Sequence, residues 1–356
     1  MIWQGFSTCR DPIGLDIGRR YVKAAQMSGP RLTAAVSIPR AGDGAALETG
    51  EIRQVAEVLR GRPFRGRSVV VAVPPDKLMT SILELPPRSS GAPLERLARM
   101  ELARCHQVDA EAVEMACWDM PSPVAARAAN RTYVMTVACR HADADALVDS
   151  LEAEGLLVRA MDVHALAIAR ACRDASGPAG SSAGDTAAIL DVGWASSRLV
   201  LLYQGTVVYE RNLTRCGVGK LAGLFGDGPD GVQATPAPPV GEATTGPGGA
   251  AVTPRQPPAS DRGRAQLDAI AGEISTPLSY LANQYPNAVT RQLLLVGGGA
   301  AGAAVPGLAE FLSHKLNVQV RAVEPSELCS SDGSVDPLGP SMALAIGLAR
   351  YTGDGR

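Results

Sequence analysis

Asp16 and Asp191 each close an apolar run, and each is followed two residues later by glycine: Ile13-Gly14-Leu15-Asp16-Ile17-Gly18 and Ile189-Leu190-Asp191-Val192-Gly193. Charged side chains are rarely buried unless paired or metal-bound, so a carboxylate ending a buried-type strand asks for a cation. Two such aspartates could hold one hydrated Mg2+ between them, because that ion takes few carboxylates and keeps its waters. Gly18 and Gly193 let the backbone turn tightly, so that N–H groups behind each aspartate face phosphate oxygens. Lys23, on the strand after the first turn, is placed to neutralise phosphate, and Ser196 and Ser197 add hydroxyl donors in the second loop. Gly297, Gly298, Gly299 and Ala300 end a strand before a helix; without side chains there, an adenine or ribose could lie against the backbone. An ordinary tight turn explains either Asp-x-Gly alone, and a strand-to-helix turn explains the glycine run. All three in this order argue for a nucleotide.

The elements that must position these residues follow an α/β alternation. Residues 12–38 read as two or three strands. "GEIRQVAEVLRGR" has the helical spacing of apolar residues 52, 55, 58 and 59, and "SVVVAVPP" at 68–75 is a strand of the kind buried on both faces. A helix at 92–107, a strand at 131–140, a helix at 142–155 and the segment "LLVRAMDV" lead to the helix "HALAIARACR". The turn formers of 174–185 read as a hinge. After it, "TAAILDVGWASSRLVLLYQGTVVYERNL" repeats the order and spacing of "PIGLDIGRRYVKAAQMSGPRLTAAVSI". Residues 226–263, dominated by Gly, Pro, Ala and Thr, have too little apolar content to offset ordering entropy and read as a low-complexity insertion. An amphipathic helix, then strand, triple glycine, helix and strand, and the small-residue helix "PSMALAIGLARY" complete the chain.

At 356 residues the chain is long enough for two cores. A formal charge of −2 gives no basic balance toward nucleic acid, and 4% aromatics argue against base-stacking platforms. Seven cysteines without a CxxC pair suit reduced core thiols and a cytosolic compartment, and four scattered histidines do not suggest a zinc site. No apolar run is long enough to span a bilayer, and the start lacks a signal-peptide core. The opening "MIWQGFSTC" could brush a membrane surface or pack as a tail.

Asp-x-Gly twice with a late Gly-Gly-Gly-Ala resembles the actin-like ATPase superfamily of actin, sugar kinases and the cell-division protein FtsA. Within it, "IGLDIGRRYVKAAQM", "LEAEGLLVRAMDVHALAIAR", "AAILDVGWASSRLVLLYQGTVVYERNL" and "LLLVGGGAAGAAVPGLAEFLSHKLNVQV" resemble the PilM family of type IV pilus assembly proteins. The resemblance implies an α/β actin-like ATPase fold with duplicated ribonuclease H-like domains, bilobed, with a 1C-type subdomain. Lobe 1 would cover 1–175 with that insertion at about 85–158; lobe 2 would cover 185–356, with 226–263 near a reduced or degenerate 2B position. It implies ATP and Mg2+ in the cleft, with Asp16 and Asp191 as metal ligands. It also implies a cytoplasmic scaffold, peripheral at the inner membrane, that binds the N-terminal cytoplasmic tail of a PilN-like membrane protein. The docking groove would lie at roughly 70–160, and pilus motor or other platform proteins are further possible partners.

Where similar proteins carry serines, this chain has Arg19 and Arg20. Arginine could clamp phosphate oxygens bidentately, or its bulk could fill the γ-phosphate space. A polar residue at the start of the connecting helix orients the attacking water in the superfamily; here the candidates are Asp162 and His164, and helix capping explains either. The expectation is a binding scaffold with at most weak ATP hydrolysis. The alternatives are an ATP-dependent enzyme of the same fold, a pseudo-ATPase without nucleotide, and an FtsA-like filament former, against which the absence of an amphipathic helix in "ARYTGDGR" counts.

Overall fold

The first apolar stretch folds as the predicted meander. In the computed structural model, which describes residues 11–42, 44, 46–61, 63–123, 130–176, 186–225, 261–285, 287–300, 304–331 and 339–353, β1 (Ile13–Ile17), β2 (Tyr21–Ser28) and β3 (Arg31–Pro39) pair antiparallel. Helix α1 (Thr49–Gly61) crosses back so that β4 (Ser68–Ala72) runs parallel to β1. Val69, Val70 and Val71 are fully buried, as a parallel strand covered on both faces requires.

The chain then leaves this sheet. β5 (Met79–Leu85), β6 (Val113–Asp119) and β7 (Thr132–Arg140) form a separate antiparallel sheet in the order β5-β7-β6, with α2 (Leu94–His106) packed on it. Helix α3 (His141–Ala153) returns to β8 (Leu157–Asp162), which pairs parallel with β4 and completes the order β3-β2-β1-β4-β8. The expected insertion at about 85–158 is therefore displaced: the extra sheet spans Met79–Arg140, while α3 packs against β8 of the main sheet.

Helix α4 (His164–Ala171) leads toward the second half. There β9 (Thr186–Val192), β10 (Ser197–Tyr203), β11 (Thr206–Leu213), β12 (Gln292–Val296) and β13 (Gln319–Ala322) take the order β11-β10-β9-β12-β13. This is the order of the first sheet repeated: a three-stranded meander flanked by two parallel strands. Helices α5 (Val218–Phe225), α6 (Asp261–Gln284) and α7 (Leu308–Leu316) belong to this half, and α8 (Ala343–Ala349) comes last. Helix α6 takes up the last three residues assigned to the 226–263 insertion; 226–260 and the hinge residues 177–185 lie outside the described residues.

One core joins the halves: Ala25 and Val70 of the first sheet share a buried cluster with Ile189 and Leu294 of the second, through α4 and α8. Small residues permit that approach. A Cβ on Gly347 would stand 1.9 Å from the Ala167 carbonyl oxygen, and one on Gly14 would stand 2.0 Å from that of Ala345. The extra sheet is fastened to the second half as well. Trp118 Nε1 donates to the Val207 carbonyl at 3.0 Å, and the Tyr285 hydroxyl donates to that of Pro121 at 2.8 Å. Of the described cysteines, Cys139, Cys172, Cys216 and Cys329 are buried free thiols, whereas Cys105 and Cys117 are exposed.

Candidate functional site

The two Asp-x-Gly hairpins face each other. In the first, the Gly18 N–H donates to the Tyr21 carbonyl at 3.0 Å, and a Cβ there would stand 2.8 Å from that oxygen. In the second, a Cβ on Gly193 would stand 2.7 Å from the Ser196 carbonyl oxygen, so both turns require glycine for the same reason. Across β1–β2, Asp16 is in register with Lys23, whose Nζ lies 3.2 Å from Asp16 Oδ2. Across β9–β10, Asp191 is in register with Arg198. Each aspartate thus has a cation seven residues on, opposite it in the hairpin. Arg198 itself pairs with Glu210 at 2.9 Å, both largely buried.

Two contacts tie the halves together here, and a third sets the glycine run against the same aspartate. His164 Nε2, at the start of α4, lies 2.7 Å from Asp191 Oδ2, so the ring donates to the carboxylate. A Cβ on Gly297 would stand 2.1 Å from Asp191 Oδ1, so the glycine run begins against the same side chain. The Arg20 guanidinium sits 4.7 Å from the centroid of the Trp194 ring, bridging the two turns. Electrostatics follow. Burial pulls the Lys23 ammonium down, but the carboxylates of Asp16 and Asp191 outweigh it and raise its pKa above 10.5. Burial pushes Asp191 up, yet His164, Lys23 and Arg198 hold it below 3.8. Both groups stay charged at neutral pH.

Other expected site residues have different duties. Asp162 does not join the cluster: it is buried, accepts the Val163 N–H at 2.7 Å and pairs with Arg170. The Ser197 hydroxyl is buried and donates to the Cys216 carbonyl, which removes it as a ligand donor, whereas Ser196 is half-buried beside the turn. The turn amides are also engaged: Gly18 with Tyr21, Gly297 with Pro340 at 3.0 Å, Gly299 with Val192 at 2.8 Å and Ala300 with Gly297 at 3.2 Å. Gly18 therefore shapes its loop without offering the N–H expected to face phosphate. Gly298 is exposed, with nothing within 4 Å of where its Cβ would stand, which leaves open space beside the backbone. Arg19 is exposed on the first turn. Sequence reasoning missed Trp194 and Arg198; aligning the two repeats finds Arg198, since 191 + 7 matches 16 + 7.

The donor set fits a hydrated Mg2+. Asp16 and Asp191 carry hard carboxylate oxygens from opposite halves that flank one lysine, and the partners around Asp191 favour its ionised form. The buried ammonium and the two arginines of the first turn supply positive charge suited to phosphate oxygens.

Duplicated five-stranded sheets joined at two acid-cation hairpins and a glycine turn define an actin-like ATPase-fold protein. Residues 14–221 match the family described as type IV pilus assembly protein PilM, and the chain belongs to that family. Among solved structures, a PilM-PilN type IV pilus biogenesis complex superposes with a TM-score of 0.65 at 20% identity, covering 95% of this chain and 97% of that one. The ethanolamine utilization protein EutJ from Carboxydothermus hydrogenoformans matches at 12% identity and TM-score 0.47, over 95% of this chain and 88% of that one. The cytoplasmic domain of EpsL, an inner membrane component of the type II secretion system of Vibrio cholerae, matches at 12% identity and TM-score 0.46, over 95% and 93%. A search of curated proteins by sequence found no match. Among the described residues, no helix is long and apolar enough to cross a membrane.

Proposed function

We propose that this chain is a nucleotide-binding scaffold of the type IV pilus assembly platform, peripheral at the cytoplasmic face of the inner membrane, which captures the N-terminal tail of a PilN-like membrane protein. The observation that carries the nucleotide half of this reading is the convergence of Asp16, Lys23, Asp191 and His164 from both halves on one cleft. Lys23 binds phosphate charge, Gly298 leaves room for the nucleoside, and His164 orients Asp191. Asp16 and Asp191 would hold Mg2+, which supplies charge neutralisation to a triphosphate. Family membership supports the partner half, together with the extra sheet of Met79–Arg140, which falls within the 70–160 stretch expected to form the peptide groove. An extended tail docks in such a groove through backbone bonds and side-chain pockets.

Two measurements test the reading. Mg-ATP at a hundred times its Kd adds about 2.7 kcal/mol to stability and so raises Tm; an unchanged melt sinks the nucleotide claim. A synthetic PilN-type tail peptide titrated against the full chain is expected to bind, and surface substitutions within 70–160 to weaken it. No binding at high micromolar peptide removes the scaffold claim.

A further inference from the structure

Among the described residues the His164 ring makes one hydrogen bond, and that bond crosses from one half to the other. The residue is 8% exposed, and Nε2 stands 2.7 Å from Asp191 Oδ2. Nδ1 is buried too, with no hydrogen-bond partner among the described residues. An ionised carboxylate only accepts, so Nε2 carries the proton. Nδ1 is then unmatched in either protonation state, as an acceptor without a donor or a donor without an acceptor. Buried polar atoms left unpaired cost stability, and a histidine that served only the core would have both nitrogens satisfied. Asp191 alone holds the polar side of this ring.

The two aspartates are paired differently. Asp16 has Lys23 across its own hairpin at 3.2 Å. The corresponding cation for Asp191 is Arg198, but its guanidinium pairs with Glu210 at 2.9 Å. The direct partner of Asp191 therefore comes from the opposite half. Its two oxygens are both engaged. Oδ2 carries the ring, and Oδ1 packs against the glycine turn, where a Cβ on Gly297 would stand 2.1 Å away. That turn is itself tied down, since the Gly297 N–H donates to the Pro340 carbonyl at 3.0 Å. An N–H hydrogen and a cation both approach a carboxylate oxygen with positive charge. With Oδ1 against backbone, they compete for Oδ2.

The ring can leave without loosening its helix. Asp162, two residues before it, accepts the Val163 N–H at 2.7 Å and pairs with Arg170 of α4. The Asp162 carbonyl also accepts the Val73 N–H at 2.9 Å, which fixes the start of α4 to the first half. We propose that His164 and a nucleotide-bound Mg2+ are alternative partners of Asp191, so that loading the site exchanges a hydrogen bond between the halves for a metal contact. The contact that orients Asp191 in the structure is the one given up. This inference rests on the nucleotide reading above.

The test is calorimetric titration of the full chain, freed of nucleotide, with Mg-ATP and separately with ATP in EDTA. His164→Phe keeps a ring without an N–H, whereas His164→Gln keeps a donor at about the reach of Nε2. His164→Phe is expected to bind Mg-ATP about tenfold more tightly than wild type, the equivalent of one charge-assisted hydrogen bond no longer surrendered. His164→Gln is expected to stay near wild type, and all three proteins to bind alike in EDTA. His164→Leu reads the same outcome if the larger ring disrupts the fold. In wild type, the His164 ring resonance, one of four histidine signals, is expected to move with Mg-ATP and not with ATP in EDTA. Equal or weaker Mg-ATP binding by the Phe and Leu variants overturns the exchange while leaving nucleotide binding in place. So does the same gain in His164→Gln, a gain without metal, or a ring resonance unmoved by bound Mg-ATP. Absence of Mg-ATP binding in every protein overturns the nucleotide reading itself, and the exchange with it.

Discussion

The guanidinium of Arg20 lies over the indole of Trp194, 4.7 Å from the ring centroid, although 173 residues separate them in the chain. The contact joins the two hairpin turns. At a partly exposed site, such a pair contributes about 0.5–1 kcal/mol. Trp194→Ala is expected to lower stability by that amount in a denaturant titration. If Arg20 transfers to phosphate, ATP changes the tryptophan emission of the wild type and not that of Trp194→Phe. Equal emission changes in both remove Arg20 from the ligand site.

Lys23 is the charge that Asp16 depends on. The two side chains are only 15% and 11% exposed, so Lys23→Ala leaves a nearly buried carboxylate unpaired and costs about 3 kcal/mol. Adding Asp16→Asn restores much of that, since no charge remains to be solvated. Neither protein is expected to gain Tm from Mg-ATP. A Lys23→Ala chain as stable as wild type shows that the pair is not formed.

Acid unfolding has an identifiable contributor outside the cleft. Glu51 is forked by Arg40 at 2.8 and 3.1 Å, which, with N–H bonds from Glu48 and Gly42 and against the opposing effect of burial, lowers its pKa from 4.5 to about 2. A depressed pKa stabilises above the unfolded-state value, and that stability is lost as pH falls from 4.5 toward 2. The difference is worth about 3 kcal/mol at neutral pH. Glu51→Gln is expected to flatten the stability–pH curve in that window; an unchanged slope rejects the fork.

The joint between the halves tolerates no side chain at Gly347. A methyl there meets the Ala167 carbonyl oxygen at 1.9 Å, backbone that can give way only by moving α4. Gly347→Ala is expected to cost about 3 kcal/mol, the upper part of the overpacking range. Gly272→Ala, in α6 with nothing within 4 Å of where its Cβ would stand, is the comparison. Equal Tm values for the two variants contradict the packing.

The strand-turn-strand repeats were legible because their signals are local: an apolar run, an aspartate, a glycine and a second run fall within about fifteen residues. The cation seven residues after each aspartate belongs to the same local pattern. β5 and β6 were not legible. Met79–Leu85 and Val113–Asp119 mix polar and apolar residues, are partly exposed, and pair only with β7, so their strand character depends on distant chain.

Residue type alone offered Ser197 and Asp191 for the nucleotide and Asp162 for the water, and packing separated them. Cys216 takes the Ser197 hydroxyl and Arg170 takes Asp162, whereas Asp191 meets His164 and Gly297. The sequence by itself determined the duplicated hairpins, their aspartates and the family. Tertiary structure decided which side chains gather between the two hairpins, which the neighbours consume, and that Arg20 reaches Trp194. The reason is physical: a turn is stabilised by its own residues, but a hydrogen-bond partner or an ion pair across two sheets exists only once both sheets are packed.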